Sequence, residues 1–263
     1  MSDPTPLAAA WERLRHRHRA ALIPYLTAGY PDRDTSLEAL RLAAACGDIV
    51  EVGVPFSDPL ADGPVIQRSS FLALEQGMTL AGTLELIARL ASSKPVVLFS
   101  YLNPVLRYGV DRLLVDAAAA GASGLLLTDL PAGSDGAVEG SVAASSLDLI
   151  RLVAPTSSAA RVLEVARGAR GFIYLIGRLG VTGTTHAPDT DLAAAVARIR
   201  AATSLPVAVG FGVSTPAHAR AVADVADGVV VGSALVDALG AGGVSGLERA
   251  LGALRGAIDR AAA

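Results

Sequence analysis

The chain has 263 residues, 52% hydrophobic and 18% charged, with a net charge of −3, so it can bury a sizeable core and is not a disordered chain. Its acids and bases are scattered, which marks neither a nucleic-acid groove nor a face for anionic membranes. Cys46 is the single cysteine and cannot form an internal disulfide, residues 1–25 carry no basic run feeding an apolar one, and no stretch approaches the ~20 apolar residues that span a bilayer; the expectation is a cytoplasmic protein.

In chain order, a helix is expected first, over 7–19. Eight short apolar runs follow, each bounded by Gly, Pro, Asp or Asn: 21–27, 48–53, 95–101, 124–130, 147–153, 171–177, 206–212 and 228–233. They are β-branched or leucine-rich without polar alternation, as parallel strands covered by helices are. Between them lie stretches with helical spacing, such as "TSLEALRLAAACG" (35–47) and "TDLAAAVARIRAATS" (190–204). The stretch "STPAHARAVADVADG" (214–228) opens on a Ser/Thr cap with Pro in its first turn and closes on Gly. Eight strand–helix units predict a (β/α)8 TIM barrel, a fold of about 250 residues, as a single domain over 1–263 with an extra N-terminal helix. The rival, an open doubly wound sheet, wants G-x-G-x-x-G after its first strand, and "TAGYPDRD" offers none. The glycine-rich stretch 131–141 is too short to separate domains.

Chemistry in such barrels sits on the loops at the C-terminal strand ends, which converge over one mouth. "EVGVPFSDPLADGP" (51–64) puts Glu51 at the end of strand two, and Asp58 and Asp62 in the loop after it. Glu51 stands between Val50 and Val52, and an apolar setting disfavours its charged form, which raises its pKa towards a range useful for proton transfer. Asp58, among prolines, reads as a turn former. Tyr101 and Asn103 at the end of strand three, Asp129 at the end of strand four and Tyr174 near the end of strand six are expected at the same mouth. An acid at a strand end serves as often as a helix cap or a loop acceptor.

"VGFGVSTP" (209–216) and "VVVGSALV" (229–236) place glycine or serine where strands seven and eight turn into helices. Bare N–H groups at helix N-termini bind phosphate there without lysine. The loop 178–190 reads as a flap over the mouth, against the plainer reading of a surface loop. His186 falls in that loop, and His16, His18 and His218 on helices; no spacing supports a zinc site, and no G-x-S-x-G elbow is present.

The string from Glu51 to Pro64, the "GVTG" stretch after strand six and the GFG and GS turns closely resemble the tryptophan synthase α subunit, nearly end to end. Gly177 stands where that family commonly has serine, and Tyr25 where it often has phenylalanine. The resemblance implies a lyase that splits indole-3-glycerol phosphate into indole and glyceraldehyde 3-phosphate without a cofactor of its own. Glu51 matches the catalytic acid/base, Asp62 the acceptor for the indole N–H, and Tyr174 a supporting tyrosine. Tyr25, Tyr101, Leu127 and Phe211 match the indole walls, and Gly183, Gly212, Gly232 and Ser233 the phosphate site. Thr182 matches the flap residue that meets Asp62 on closure. The resemblance further implies a β subunit carrying pyridoxal phosphate in an α2β2 heterotetramer, with segment 55–60 and the flap towards it. A stand-alone indole-releasing lyase and a catalytically silent regulatory subunit are the alternatives. A Schiff-base aldolase would need a lysine at the mouth, and the only lysine, Lys94, precedes strand three.

Overall fold

Eight parallel strands expose no unpaired edge once the sheet closes on itself. In the computed structural model, which describes residues 4–177, 189–210 and 212–259, they form a closed barrel in chain order. The strands are β1 (Ala21–Thr27), β2 (Val50–Gly53), β3 (Val96–Ser100), β4 (Ala122–Leu127), β5 (Asp148–Val153), β6 (Ile173–Ile176), β7 (Val207–Gly210) and β8 (Gly228–Val231). Pairing of Ala21 with Gly228 and of Pro24 with Val231 closes the ring. This is the expected (β/α)8 barrel.

The covering helices begin where side chains cap them. Asp32 accepts from Asp34 and Thr35 to start α2 (Arg33–Cys46), Thr79 starts α4 (Leu80–Leu90), and Ser158 starts α8 (Ala159–Arg167). Thr215 with Pro216 starts α10 (Pro216–Ala223), as the sequence suggests. The remaining helices are α3 (Pro64–Glu75), α5 (Leu102–Tyr108), α6 (Val110–Ala120), α7 (Gly136–Ala144), α9 (Asp189–Ala202) and α11 (Ser233–Asp259), with α1 (Pro6–His16) ahead of the barrel. None of the described helices is long and apolar enough to cross a membrane.

Helix α1 plugs the N-terminal end of the ring. Trp11 meets Phe172 edge-on with ring centroids 5.6 Å apart. A Cβ on Gly228 would come within 2.8 Å of the Trp11 ring, and one on Gly124 within 2.9 Å of Leu7. Two glycines thus make room for the plug. Asp48 binds Arg19, Arg255 and the Leu22 N–H beside it, tying both ends of the chain to the same rim.

Some boundaries differ from the sequence expectation. Strand β4 starts at Ala122 rather than 124, because Gly121 (φ 101°) already turns the chain out of α6. It therefore ends at Leu127, short of Asp129. Helix α1 stops at His16, and His18 lies beyond it with φ 49°. The glycine-rich stretch 131–141 holds the start of α7, capped by Asp135.

Candidate active site

Side chains alternate along a strand, so Tyr25 and Thr27 on β1, Glu51 on β2, Phe99 on β3, Tyr174 on β6 and Val230 on β8 share the interior face. At the C-terminal end this face opens into a cavity of about 270 Å³, lined by these rings with Glu51, Asp62, Gly63 and Ile66 on one side and Gly212, Ser214, Gly232 and Ser233 on the other. Seven of the residues singled out from sequence meet here: Tyr25, Glu51, Asp62, Tyr174, Gly212, Gly232 and Ser233. Thr182, Gly183 and Phe211 lie outside the described residues, as does His186. Leu127 is buried at the end of β4 but does not line the cavity.

Glu51 is 0% exposed, and neither of its carboxylate oxygens has a hydrogen-bond partner among the described residues. Burial alone pushes its pKa up to about 8, because nothing replaces the water that would solvate the charge. The direction is as expected, but the cause is not its chain neighbours. Val50 and Val52 face the helices, and the apolar wall consists of inward rings, with Tyr25 and Phe99 packed edge-on at 5.1 Å.

Asp62 sits in the loop between β2 and α3. That loop is shaped by bonds from Leu60 N–H to the Asp58 carbonyl (2.9 Å) and from Asp62 N–H to the Pro59 carbonyl (3.0 Å). Asp58 is exposed and takes the Ser57 hydroxyl, a turn former as expected. Burial raises the Asp62 pKa to about 6, and the Tyr101 hydroxyl, donating to its Oδ2 at 3.0 Å, pulls the other way. Near neutral pH the cavity therefore holds one protonated and one ionised carboxyl. Such a pair can give a proton at one point of a ligand and accept an N–H or O–H at another.

Two tyrosine hydroxyls lie over glycines on the next strand. A Cβ on Gly53 would fall 2.1 Å from the Tyr25 hydroxyl, and one on Gly210 2.0 Å from that of Tyr174. The Ser69 hydroxyl donates to the Ile66 carbonyl (2.9 Å), so Thr27, 2.7 Å from Ser69, donates to it in turn. This buried chain ties β1 to α3. Burial holds both tyrosines above their ordinary pKa. Gly177, where serine is common in the resembling family, packs against Val209: a Cβ there would sit 2.9 Å from Val209 Cγ1.

The other side of the cavity is backbone. Gly212 has φ +85°, which side chains rarely tolerate. Gly232 and Ser233 begin α11, whose first N–H groups have no carbonyl of their own helix to bind. No described side chain there is cationic, so an anion would be held by backbone donors and the helix dipole.

Asn103 and Asp129, expected at the mouth, do not line the cavity. Asn103 is exposed on α5, and Asp129 is exposed beyond β4, where its carboxylate caps that helix through Leu102 N–H at 2.6 Å; it is a helix cap. Lys94 lies just before β3, at the far end of the barrel. Phe99, Ile66, Val230 and the Thr27–Ser69 pair were missed. Period-2 counting back from Tyr101 would have found Phe99, whereas Ser69 is an ordinary helix residue until the fold brings it to β1. A larger cleft of about 570 Å³ at the opposite rim, between α1 and the starts of β7 and β8, is lined by Asp224 and Asp227, each ion-paired with an arginine.

The family model for the tryptophan synthase alpha chain matches residues 11–254. A tryptophan synthase alpha chain of Gluconacetobacter diazotrophicus is 47% identical over 97% of this chain and 97% of its own length. One from Acidiphilium cryptum is 48% identical over 90% and 87%. Among solved structures, tryptophan synthase of Mycobacterium tuberculosis in its aminoacrylate-bound form superposes with a TM-score of 0.89 at 38% identity, covering 97% of this chain and 100% of that one. Tryptophan synthase subunit alpha from Legionella pneumophila does so at 0.89 and 32% identity, over 98% and 100%.

Proposed function

The chain belongs to the tryptophan synthase alpha chain family, and on that premise we propose that it cleaves indole-3-glycerol phosphate to indole and glyceraldehyde 3-phosphate, with Glu51 as general acid and base and Asp62 as the indole N–H acceptor. The observation that carries the assignment of roles is the pair of carboxyls on one cavity, Glu51 titrating at about 8 and Asp62 at about 6.

Indole is a poor leaving group until its C3 is protonated. Protonated Glu51 delivers that proton, which leaves a cationic C2=N1 bond in the ring. The Asp62 carboxylate accepts the N1–H and stabilises this charge as it develops. The bond between C3 and the glycerol carbon then breaks. Its electron pair restores the indole ring, the carbinol oxygen becomes the aldehyde oxygen, and the hydroxyl proton returns to Glu51. Atoms and charge balance, and the cycle uses no cofactor.

The aromatic floor of Tyr25 and Phe99 holds the ring, with Phe211 as a further wall. Tyr174, over Gly210, supports the substrate between the acids. Gly212, Gly232 and Ser233, with Gly183, take the phosphate through backbone N–H groups, and Thr182 meets Asp62 when the loop over the mouth closes. The indole passes to a β subunit carrying pyridoxal phosphate, in an α2β2 assembly. In support, Leu60 on the 55–60 segment is 93% exposed, an apolar side chain that none of the described residues covers.

The test is indole release from indole-3-glycerol phosphate by the purified chain, alone and with a β subunit. The proposal requires indole and glyceraldehyde 3-phosphate in equal amounts, formed faster with the partner. Absence of indole in both arms would remove it.

A further inference from the structure

Tyr101 matches an indole wall by resemblance, yet it does not line the cavity. Its hydroxyl is engaged twice in the loop that carries Asp62. It accepts from the Ala61 N–H at 2.9 Å and donates to Asp62 Oδ2 at 3.0 Å. The direction of both bonds is fixed: an amide can only donate, and the single hydroxyl proton is left for the carboxylate. The ring is 5% exposed and leans on Phe56 at 5.1 Å, so the hydroxyl is held by packing from the end of β3. Asp62 Oδ2 takes this bond, while Oδ1 accepts none from the described residues.

We propose that Tyr101 is a positioning residue, whose hydroxyl pins the β2–α3 loop through Ala61 and sets the direction in which Asp62 presents its carboxylate to the ligand. The inference rests on the role given to Asp62 above.

The proposal has a consequence in pH that a wall would lack. Among the described residues, the titratable groups around Asp62 are Tyr25 from β1, Glu51 from β2, Tyr101 from the end of β3 and Tyr174 from β6. None is a cation, so the Tyr101 hydroxyl is the group that offsets the burial of the Asp62 charge. Asp62 must be ionised to accept the indole N–H, so its titration sets the acidic limb of the pH–rate profile. Glu51 must be protonated and sets the basic limb.

Tyr101→Phe keeps the ring and removes the hydroxyl. The acidic limb of kcat/KM for indole release should move up by about half a pH unit or more, with the basic limb unmoved. Below about pH 6.5 the loss should reach roughly tenfold, shrinking to a few-fold on the plateau. Replacing Tyr101 with 3-fluorotyrosine, a stronger donor of nearly the same shape, should move the limb down. Affinity for glycerol 3-phosphate, which reports a folded site, should change in neither. If both variants bind glycerol 3-phosphate and release indole with the wild-type acidic limb, Tyr101 is only a wall and the inference falls. A uniformly lowered profile with an unmoved limb overturns it as well. Asp62→Asn separates this from failure of the underlying reading: if that variant turns over normally, the role of Asp62 itself is wrong.

Discussion

Replacing Glu51 with Gln should make the protein more stable while destroying its proposed activity. The carboxyl titrates at about 8 when folded, against an ordinary 4.5. Its folded pKa is raised, so its contribution to stability is fully present below pH 4.5 and is lost as the pH climbs towards 8, where the unfolded chain holds a charge that the folded chain must neutralise. Each pH unit in that window costs about 1.4 kcal/mol, so on the order of 3 kcal/mol has gone by pH 7. Gln has the same shape and is neutral at every pH. Its amide meets no partner among the described residues, as the neutral acid meets none, so that penalty cancels between the two. Glu51→Gln should therefore raise the free energy of unfolding by up to about 3 kcal/mol at pH 7 and by little near pH 4.5. Urea unfolding of both proteins at a series of pH values reads this directly from the shift in midpoint at constant slope. A difference that does not grow with pH, or a Gln variant less stable at pH 7, would refute the claim that burial holds Glu51 protonated.

Asp62→Asn keeps an acceptor oxygen but loses the charge, so indole release should fall at least tenfold while glycerol 3-phosphate still binds; wild-type turnover removes Asp62 from the mechanism. Gly212→Val puts a side chain at φ +85°, beside the proposed phosphate donors, and should raise KM for substrate about tenfold or more with a smaller change in kcat. Unchanged affinity for glycerol 3-phosphate would place the anion elsewhere. Gly53→Ala sets a methyl 2.1 Å from the Tyr25 hydroxyl, and Tyr25 is backed by Phe99. It should cost about 1–3 kcal/mol in thermal unfolding, and a neutral result would show that the ring can retreat.

The barrel was legible because its strands are continuous apolar runs, and each lies within about three residues of where the sequence puts it. The β4 boundary was not legible, because Gly121 ends a helix and so moves the strand start two residues earlier than a hydrophobicity count suggests. Within the site, Glu51 and Asp62 stand out as carboxyls in an apolar or proline-rich frame, and the fold brings them to one cavity. Asp129 looked like a third acid at the mouth. Strand ends and helix caps share the same residue types, and only the geometry of Leu102 N–H separates the two. Tyr101 was legible as an aromatic at a strand end, but its hydrogen bonds to Ala61 and Asp62 span 40 and 39 positions of chain and have no local signature. The glycines at 53 and 210 were unremarkable until the tyrosines on neighbouring strands were seen above them.

The central claim is that Glu51 gives the proton that releases indole. Its most direct test is single-turnover indole formation at pH 7 by wild type and Glu51→Gln, both saturated with indole-3-glycerol phosphate and with glycerol 3-phosphate affinity measured alongside. The account predicts equal affinity and a rate reduced by roughly 10²–10⁴ or more in the variant. Equal affinity with a rate within tenfold of wild type would contradict it.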